Sequence, residues 1–164
     1  MWGDLNGEYG LRKWIGRLFV AQSGERTTEG GSNLTGAITE ILDPWGDAAS
    51  TTRDLVTGLW STTSFGDANG VAGLTVANGD VYAVMTESPE LGGPASAGAL
   101  LRVATTGRNR IGRTTTVTNV GSYDYAWTSE HLDLASHDFP DANPYGVLAA
   151  DGRLYVADAA SNTI

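Results

Sequence analysis

Two aspartate–asparagine pairs occur in the same five-residue pattern, F-x-D-A-N, at separate places in the chain. The first copy is Phe65-Gly66-Asp67-Ala68-Asn69 and the second is Phe139-Pro140-Asp141-Ala142-Asn143. Carboxylate and amide oxygens suit a hard cation such as Ca²⁺, with one pair supplied by each copy. The candidate Ca²⁺ ligands are Asp67, Asn69, Asp141 and Asn143. Because the pattern repeats, a structural interpretation is also open, in which Asp and Asn cap tight turns through side-chain-to-backbone hydrogen bonds.

A second group of reactive side chains lies in residues 123–138, a segment that does not repeat. It holds both histidines of the chain, and His131 or His137 could act as a general base. Glu130 or Asp138 would be the orienting or acid partner. Aromatic side chains of the same segment could stack on a carbohydrate or aromatic ligand. The predicted ligand-binding residues are Tyr123, Tyr125, Trp127, Asp141 and Asn143. The alternative is a surface loop whose aromatic side chains pack on a sheet edge.

The elements that must position these groups are short strands in a repeated unit. Each F-x-D-A-N copy leads into an apolar strand, a two-residue turn and a second apolar strand. The turns are Asn78-Gly79 and Asp151-Gly152, which favour type I′ hairpins because both positions accept positive φ. Upstream, residues 16–21 match residues 152–157 almost position for position and form a third copy. Third strands are predicted near 36–41 and 98–103, and fourth strands at 52–59 and 114–120.

This unit predicts an all-β fold, a β-propeller of four-stranded antiparallel blades within a single partial domain, residues 1–164. Blade one spans about 11–60, blade two about 66–120, and blade three, which is incomplete, about 140–164. The chain would thus hold about two and a half blades, whereas closed propellers have about four to eight. We expect two copies to associate into a ring of about six blades. The alternative is that the chain is a piece of a longer protein. Residues 1–10 are a candidate strand for completing the partner's third blade.

Charge and composition exclude several classes of function. The net charge is −9, and residues 121–164 carry seven acids against Arg153 alone. Such a surface repels phosphate backbones, so no nucleic-acid partner is expected, whereas cations and basic ligands would be attracted. The chain has no cysteine, which excludes thiolate metal sites and cysteine nucleophiles. No apolar run reaches membrane-spanning length, and residues 1–8 show no signal-peptide pattern.

Several segments resemble the ScyD/ScyE family of propellers, which is related to NHL-repeat and SMP-30-like propellers. The segments that carry the resemblance are 16–24, 98–103 and, most specifically, 141–159. The resemblance covers about residues 9–164. It implies a propeller fold and a secreted or periplasmic location. It also points to SMP-30-like hydrolases, which place a metal in the central channel with Asp, Asn and Glu.

Two functions are consistent with these observations. The first is a ligand-binding or scaffolding module that recognises a small molecule or carbohydrate at the mouth of the propeller channel, where loops of successive blades converge. The alternative is a hydrolase of lactonase, esterase, phosphotriesterase or glycosidase type. Its active site would lie in the channel, with or without Ca²⁺.

Overall fold

The computed structural model describes residues 8–45, 51–134 and 139–164, and these form three antiparallel sheets and one α-helix. Strands follow one another in chain order within every sheet, and none of the sheets is closed. Two-residue turns make half of the connections within the sheets, as antiparallel pairing permits. The predicted all-β class is therefore confirmed.

The first sheet has five strands: β1 (Glu8–Trp14), β2 (Arg17–Gln22), β3 (Ser32–Leu42), β4 (Thr51–Ser64) and β5 (Asp67–Asn69). The second sheet has four strands: β6 (Val71–Ala77), β7 (Asp80–Met85), β8 (Ala99–Val103) and β9 (Thr114–Asn119). The third sheet consists of β10 (Pro144–Ala150) and β11 (Arg153–Asp158). A 3-10 turn at Pro89–Leu91 lies between β7 and β8.

Two-residue turns join the first two strands of each sheet. Asn78 and Gly79 have φ of 50° and 81°, and Asp151 and Gly152 have φ of 51° and 72°, so both predicted hairpins are confirmed. Positive φ at both positions matches the twist of the flanking strands. In sheet one the turn is Ile15-Gly16, with φ of 41° and 68°.

The beginning of sheet one differs from the sequence expectation. Residues 8–10 belong to β1, where Glu8 pairs with Gln22 and Gly10 with Ala21 of the same chain. This part of residues 1–10 is therefore already paired and is not a free strand for a partner, while residues 1–7 lie outside the described residues. The predicted fourth strands are present, but β4 is longer than expected and β9 ends at Asn119.

The helix α1 (Val120–Glu130) was not predicted from the sequence. It begins where the Asn119 Oδ1 accepts a hydrogen bond from the Ser122 backbone N–H at 2.8 Å, as a good N-cap does. Its buried residues are Gly121, Asp124 and Thr128, which are small or polar. Because helices are recognised in a sequence by their apolar period, a helix that buries such residues leaves no periodic signal.

The three sheets pack against one another mainly through their first strands, β1 on β6 and β6 on β10. A Cβ added to Gly10 would lie 2.4 Å from the Ala72 carbonyl oxygen, and one added to Gly73 would lie 2.6 Å from the Tyr145 carbonyl oxygen. Both approaches are too close for any side chain, so glycine is required at these two contacts.

The main apolar core lies between sheets one and two. Phe19, Ile38, Val81 and Met85 are fully buried there, together with ten further residues from both sheets. Burial of this apolar surface is the dominant stabilising term in such a fold. No helix among the described residues is long and apolar enough to cross a membrane.

Candidate functional site

Both F-x-D-A-N segments line one open cleft of about 610 Å³. Each segment directly precedes the first strand of a sheet, β6 or β10, so the contact between these strands brings the segments together. The polar side chains that line the cleft are Ser64, Asp67, Asn69, Glu87, Asp141, Asn143 and Tyr145. The structure thus unites all four residues predicted as Ca²⁺ ligands.

The two segments have the same sequence pattern but different local structures. Phe65 and Gly66 form a turn with positive φ, and Asp67–Asn69 then pairs with the end of β4. In the second segment no residue is in a strand, and the Asp141 Oδ1 accepts a hydrogen bond from the Ala142 backbone N–H at 2.8 Å. This bond joins adjacent residues, whereas a turn-capping Asp bonds the backbone two residues on, so the turn-capping role of Asp141 stays a prediction.

The carboxylate of Asp67 forms an exposed ion pair with Arg26, at 2.9 Å. Exposed pairs of this kind add little stability, because water screens them and two long side chains must be ordered. Asn143 is held more firmly. Its backbone N–H donates to both carboxylate oxygens of Asp158, at 3.0 and 2.8 Å.

Glu87, which follows β7, lines the cleft. From its place at the end of the strand, the sequence left open whether it faces the channel mouth or only solvent, and it was not among the predicted site residues. It lies in the left-handed region with φ of 64°. At the same place after the second strand, eight residues beyond the turn glycine, sheet one has Gly24 with φ of 110°. Sheet three has Ala160 there, which does not adopt positive φ. Glutamate is thus held at a positive φ, at a repeat position where sheet one has glycine, at a cost of about 1–3 kcal/mol.

The backbone of Glu87 is fixed by its neighbours. A Cβ added to Gly98 or to Gly121 would lie 2.7 or 2.4 Å from the Glu87 carbonyl oxygen, so both glycines are needed for this contact. The Asn143 side-chain oxygen lies 3.5 Å from the Glu87 backbone nitrogen. The strained conformation is therefore imposed by α1, the β7–β8 connection and the second F-x-D-A-N segment together.

Burial raises the pKa of the Glu87 carboxyl, and the negative charge of Asp141 raises it further. Both effects disfavour a second negative charge in the cleft. Among the described residues no lysine or arginine lines the cleft, and the Glu87 carboxylate has no hydrogen-bond partner. A ligand that carries a positive charge or hydroxyl donors would supply what these oxygens lack.

A second open cleft of about 550 Å³ adjoins the first and shares Ser64, Glu87 and Leu91 with it. Glu29 lines this second part and also holds the turn between the two, because its carboxylate accepts from the backbone N–H groups of Phe65 and Gly66 at 2.7 and 3.1 Å. The two clefts form one groove with Glu87 at the junction. We call this the acidic groove, after Glu29, Asp67, Glu87 and Asp141.

Aromatic side chains lie at the rim of the groove. The Phe65 side chain is 99% exposed and Phe139 is more than half exposed. Aromatic faces attract cations and the apolar faces of sugars, so both rings are suited to contact a ligand in the groove.

The predicted aromatic and histidine group is placed elsewhere. Tyr123, Tyr125, Trp127 and Glu130 lie on α1, with His131 at its end, and none of them lines the acidic groove. The His131 ring stacks on Trp127 with centroids 4.5 Å apart, and its Nδ1 lies 2.8 Å from the Trp127 carbonyl oxygen. His137 and Asp138 lie outside the described residues.

Two residues of α1 that were not predicted as site residues hold the segments beside the groove in place. The Thr128 hydroxyl accepts from the Asp141 backbone N–H at 3.3 Å. The same hydroxyl oxygen lies 3.0 Å from each of three carbonyl oxygens, those of Asp141, Asp124 and Tyr125, which share its single proton. The buried Asp124 carboxylate accepts from the hydroxyls of Ser161 and Thr163. These bonds connect the helix to the segment before β10 and the segment after β11, which lie at the same end of the third sheet, and so fix the position of Asp141.

Asp158 completes this support. Besides Asn143, it accepts from the backbone N–H groups of Ala160 and Ser161, at 2.9 and 3.2 Å. Burial raises the pKa of the Asp158 carboxyl, while its backbone hydrogen bonds act in the opposite direction. No group of three or more histidines, aspartates or glutamates in the described residues is arranged to hold a metal ion. Comparisons with family models, curated proteins and solved structures find no match to this chain.

Proposed function

We propose that the three sheets are successive blades of a β-propeller, with β1, β6 and β10 as the innermost strands and two chains completing a ring of about six blades. Three observations support this architecture: the meander order of every sheet, the side-by-side packing of the first strands, and the glycines at the same position in each of them. The ScyD/ScyE resemblance points the same way. In this arrangement the acidic groove lies at the mouth of the channel, where loops of successive blades meet.

We propose that the protein binds a small organic ligand in the acidic groove, one that is cationic or rich in hydroxyl groups. The observation that carries this proposal is Glu87, a glutamate held at positive φ beside Asp141 where the first sheet uses glycine. A strained and desolvated carboxyl costs stability, and such costs are typically retained at binding or catalytic sites. The exposed Phe65 and Phe139 would contact the apolar part of the ligand.

An organic ligand fits the groove better than a lone Ca²⁺ ion. Asp67 pairs with Arg26, and one carboxylate oxygen of Asp141 accepts from the Ala142 backbone N–H, so the four predicted ligands are not a ready oxygen cage. Ca²⁺ takes six to eight oxygen ligands, which the pairs would have to supply with backbone groups and water. A Ca²⁺ role for Asp67, Asn69, Asp141 and Asn143 stays a second, testable version of the same proposal.

The test is a thermal-shift screen of the purified protein against small amines, guanidinium compounds, neutral oligosaccharides and Ca²⁺. A ligand at 100 times its Kd stabilises the folded state by about 2.7 kcal/mol, which is readily measured. We expect an amine or oligosaccharide to raise the Tm, and Glu87→Gln to weaken its affinity about 10- to 100-fold, because a charged hydrogen bond is lost. Glu130→Gln, which changes an exposed acid of α1, is the matched control. Equal affinities of both variants for the ligand would refute the site.

A hydrolase is the second candidate, because Glu87 and Asp141 form a pair of interacting carboxyls in which the pKa of Glu87 is raised. One protonated and one ionised carboxyl are what acid–base hydrolysis of a glycoside or ester requires. Fluorogenic ester, lactone, phosphotriester and glycoside substrates test this activity directly. Turnover that survives in Glu87→Gln and Asp141→Asn but disappears in His137→Ala would instead support the histidine segment as the active site.

A further inference from the structure

The glycines Gly10, Gly73 and Gly146 occupy the same position, six residues before the turn glycine, in β1, β6 and β10. Each of the three lies at a register shift between the first and second strand of its sheet. Gly10 and Gly73 contact the backbone of the next sheet so closely that a Cβ could not be accommodated. Gly146 differs, because an added Cβ would meet only the Cβ of Ala157, at 3.8 Å, and its φ is not positive. Nothing among the described residues requires a glycine there.

The face of sheet three that carries Gly146 corresponds to the faces of sheets one and two that carry Gly10 and Gly73. In sheets one and two this face is buried against the next sheet. Across this face Leu148 pairs with Tyr155, and Gly146 pairs with Ala157. Tyr155 takes the same repeat position as Phe19, which is fully buried against sheet two. Leu148 and Tyr155 are instead 48% and 37% exposed. An apolar patch of this kind, centred on a glycine, is shaped to receive a closely packed strand.

The opposite end of the structure presents the complementary surface. Leu11 in β1 takes the position of Leu74 in β6, which is 6% exposed and belongs to the core between sheets one and two. Leu11 is 67% exposed. Sheet one therefore presents the leucine side of such a contact, on β1, and sheet three presents the glycine side, on β10.

We propose that two copies of this chain associate head to tail, with β1 of each copy packed on β10 of the other so that Leu11 lies beside the partner's Gly146. The contact repeats the geometry that joins sheets one and two, and two and three, within one chain. A second copy is the occupant because a single chain carries both halves of the interface at opposite ends. Two copies that each present both halves can form the contact twice and so close the pair. The interface rests on the proposed blade architecture, and it is independent of ligand binding in the acidic groove.

The first test is the mass of the particle in solution, measured by analytical ultracentrifugation at micromolar concentration, for the wild type and two glycine variants. We expect a wild-type dimer, and a Gly146→Val protein that keeps its circular dichroism but dimerises at least about 100-fold more weakly, because both symmetric contacts are overpacked. Gly73→Val is the matched control at the same repeat position, and it should fail to fold because its Cβ meets backbone. A folded wild-type monomer, or a Gly146→Val dimer of unchanged affinity, would overturn the proposal.

The second test identifies which surfaces meet. Within one chain the Thr75 Oγ1 lies 3.3 Å from the Ala149 backbone nitrogen, and the equivalent positions in the proposed contact are Leu148 and the partner's Lys13. Because the chain has no cysteine, Leu148→Cys and Lys13→Cys can be prepared separately and mixed under oxidising conditions. We expect a disulfide dimer from the mixture and not from either variant alone. Efficient cross-linking of Leu148→Cys to itself would show a tail-to-tail dimer and would contradict this arrangement, whatever the ligand screen finds.

Discussion

Helix α1 and the acidic groove both contain acids and aromatic residues, but their carboxyl groups are in different environments. On α1 the buried Asp124 and Thr128 are fully engaged, the first with two hydroxyls and the second with the Asp141 backbone. In the groove, Glu87 is strained, desolvated and close to another carboxyl. Satisfied buried groups stabilise a fold, whereas groups held at a cost are characteristic of sites that bind something. The comparison distinguishes residues that support the groove, such as Asp124 and Thr128, from Glu87, which would contact a ligand.

Among the predicted substitutions, Asp124→Ala is expected to change the free energy of unfolding most. The substitution leaves the Ser161 and Thr163 hydroxyls without their acceptor and disconnects α1 from the end of sheet three. Two hydrogen bonds to a charged group and an unsatisfied buried donor make the expected loss of unfolding free energy about 3 kcal/mol. Urea denaturation followed by circular dichroism measures it.

Asp133→Ala is the control for Asp124→Ala, because it removes an exposed acid with the same change in net charge. It should change the free energy of unfolding by less than about 0.5 kcal/mol. If the two variants were equally stable, the hydrogen bonds of Asp124 would not stabilise the fold. The contrast between the polar groups of α1 and Glu87 in the groove would then not hold.

Glu87→Gly is expected to act in the opposite direction on stability. Glycine adopts φ of 64° without strain, and the desolvated carboxyl is removed. Sheet one already has a glycine of positive φ at the equivalent place, Gly24, with φ of 110°. We expect the unfolding free energy to rise by about 1 kcal/mol, after the entropy that glycine adds to the unfolded chain is subtracted. Ligand binding in the groove should be lost in the same variant.

Ala160→Gly provides the matched control at the third equivalent position. Ala160 does not have positive φ, so glycine there relieves no strain and should lower the unfolding free energy by about 0.4–1 kcal/mol. A loss of stability in both variants would mean that Glu87 is well accommodated, and the argument for a functional glutamate would fail.

Much of this fold could be predicted because short sequence patterns mark each copy of its repeat. Turn pairs such as Asn78-Gly79 have a backbone preference that depends on two residues only, so the hairpins followed from the sequence. The F-x-D-A-N copies also indicated which residues precede the first strands. Their meeting in one cleft followed from strand contacts that the repeat predicted.

The rest could not be predicted, because it depends on contacts between distant segments. Glu87 looks like an ordinary glutamate after a strand, and only the backbone angle and the neighbouring Asp141 set it apart. Aligning it with Gly24 was the one signal in the sequence, since a glutamate at a glycine position of a repeat is unexpected. Helix α1 was missed because its buried Asp124 and Thr128 give no apolar period.

A smaller effect is expected in the pH dependence of stability. The pKa of Glu87 is higher in the folded state than in the unfolded state, where glutamate titrates near ~4.3. The folded protein therefore binds more protons between these two values, and the wild type should lose stability relative to Glu87→Gln as pH rises through that window. Asp158, whose pKa is also raised, contributes equally to both proteins and cancels in the difference. Unfolding free energies of the two proteins that run parallel from pH 4 to 8 would contradict the raised pKa.

The smallest effect is expected from Tyr123→Ala, on the helix side of the comparison. The Tyr123 side chain is 74% exposed and does not line the acidic groove, so the unfolding free energy should change by less than about 0.5 kcal/mol. Affinity for any ligand found in the screen should stay the same, whereas Phe139→Ala, at the rim of the groove, should reduce it. A ligand that loses affinity with Tyr123→Ala but keeps it with Phe139→Ala would move the binding surface from the groove to α1. The aromatic residues predicted from the sequence would then be the site, and Glu87 would need another explanation.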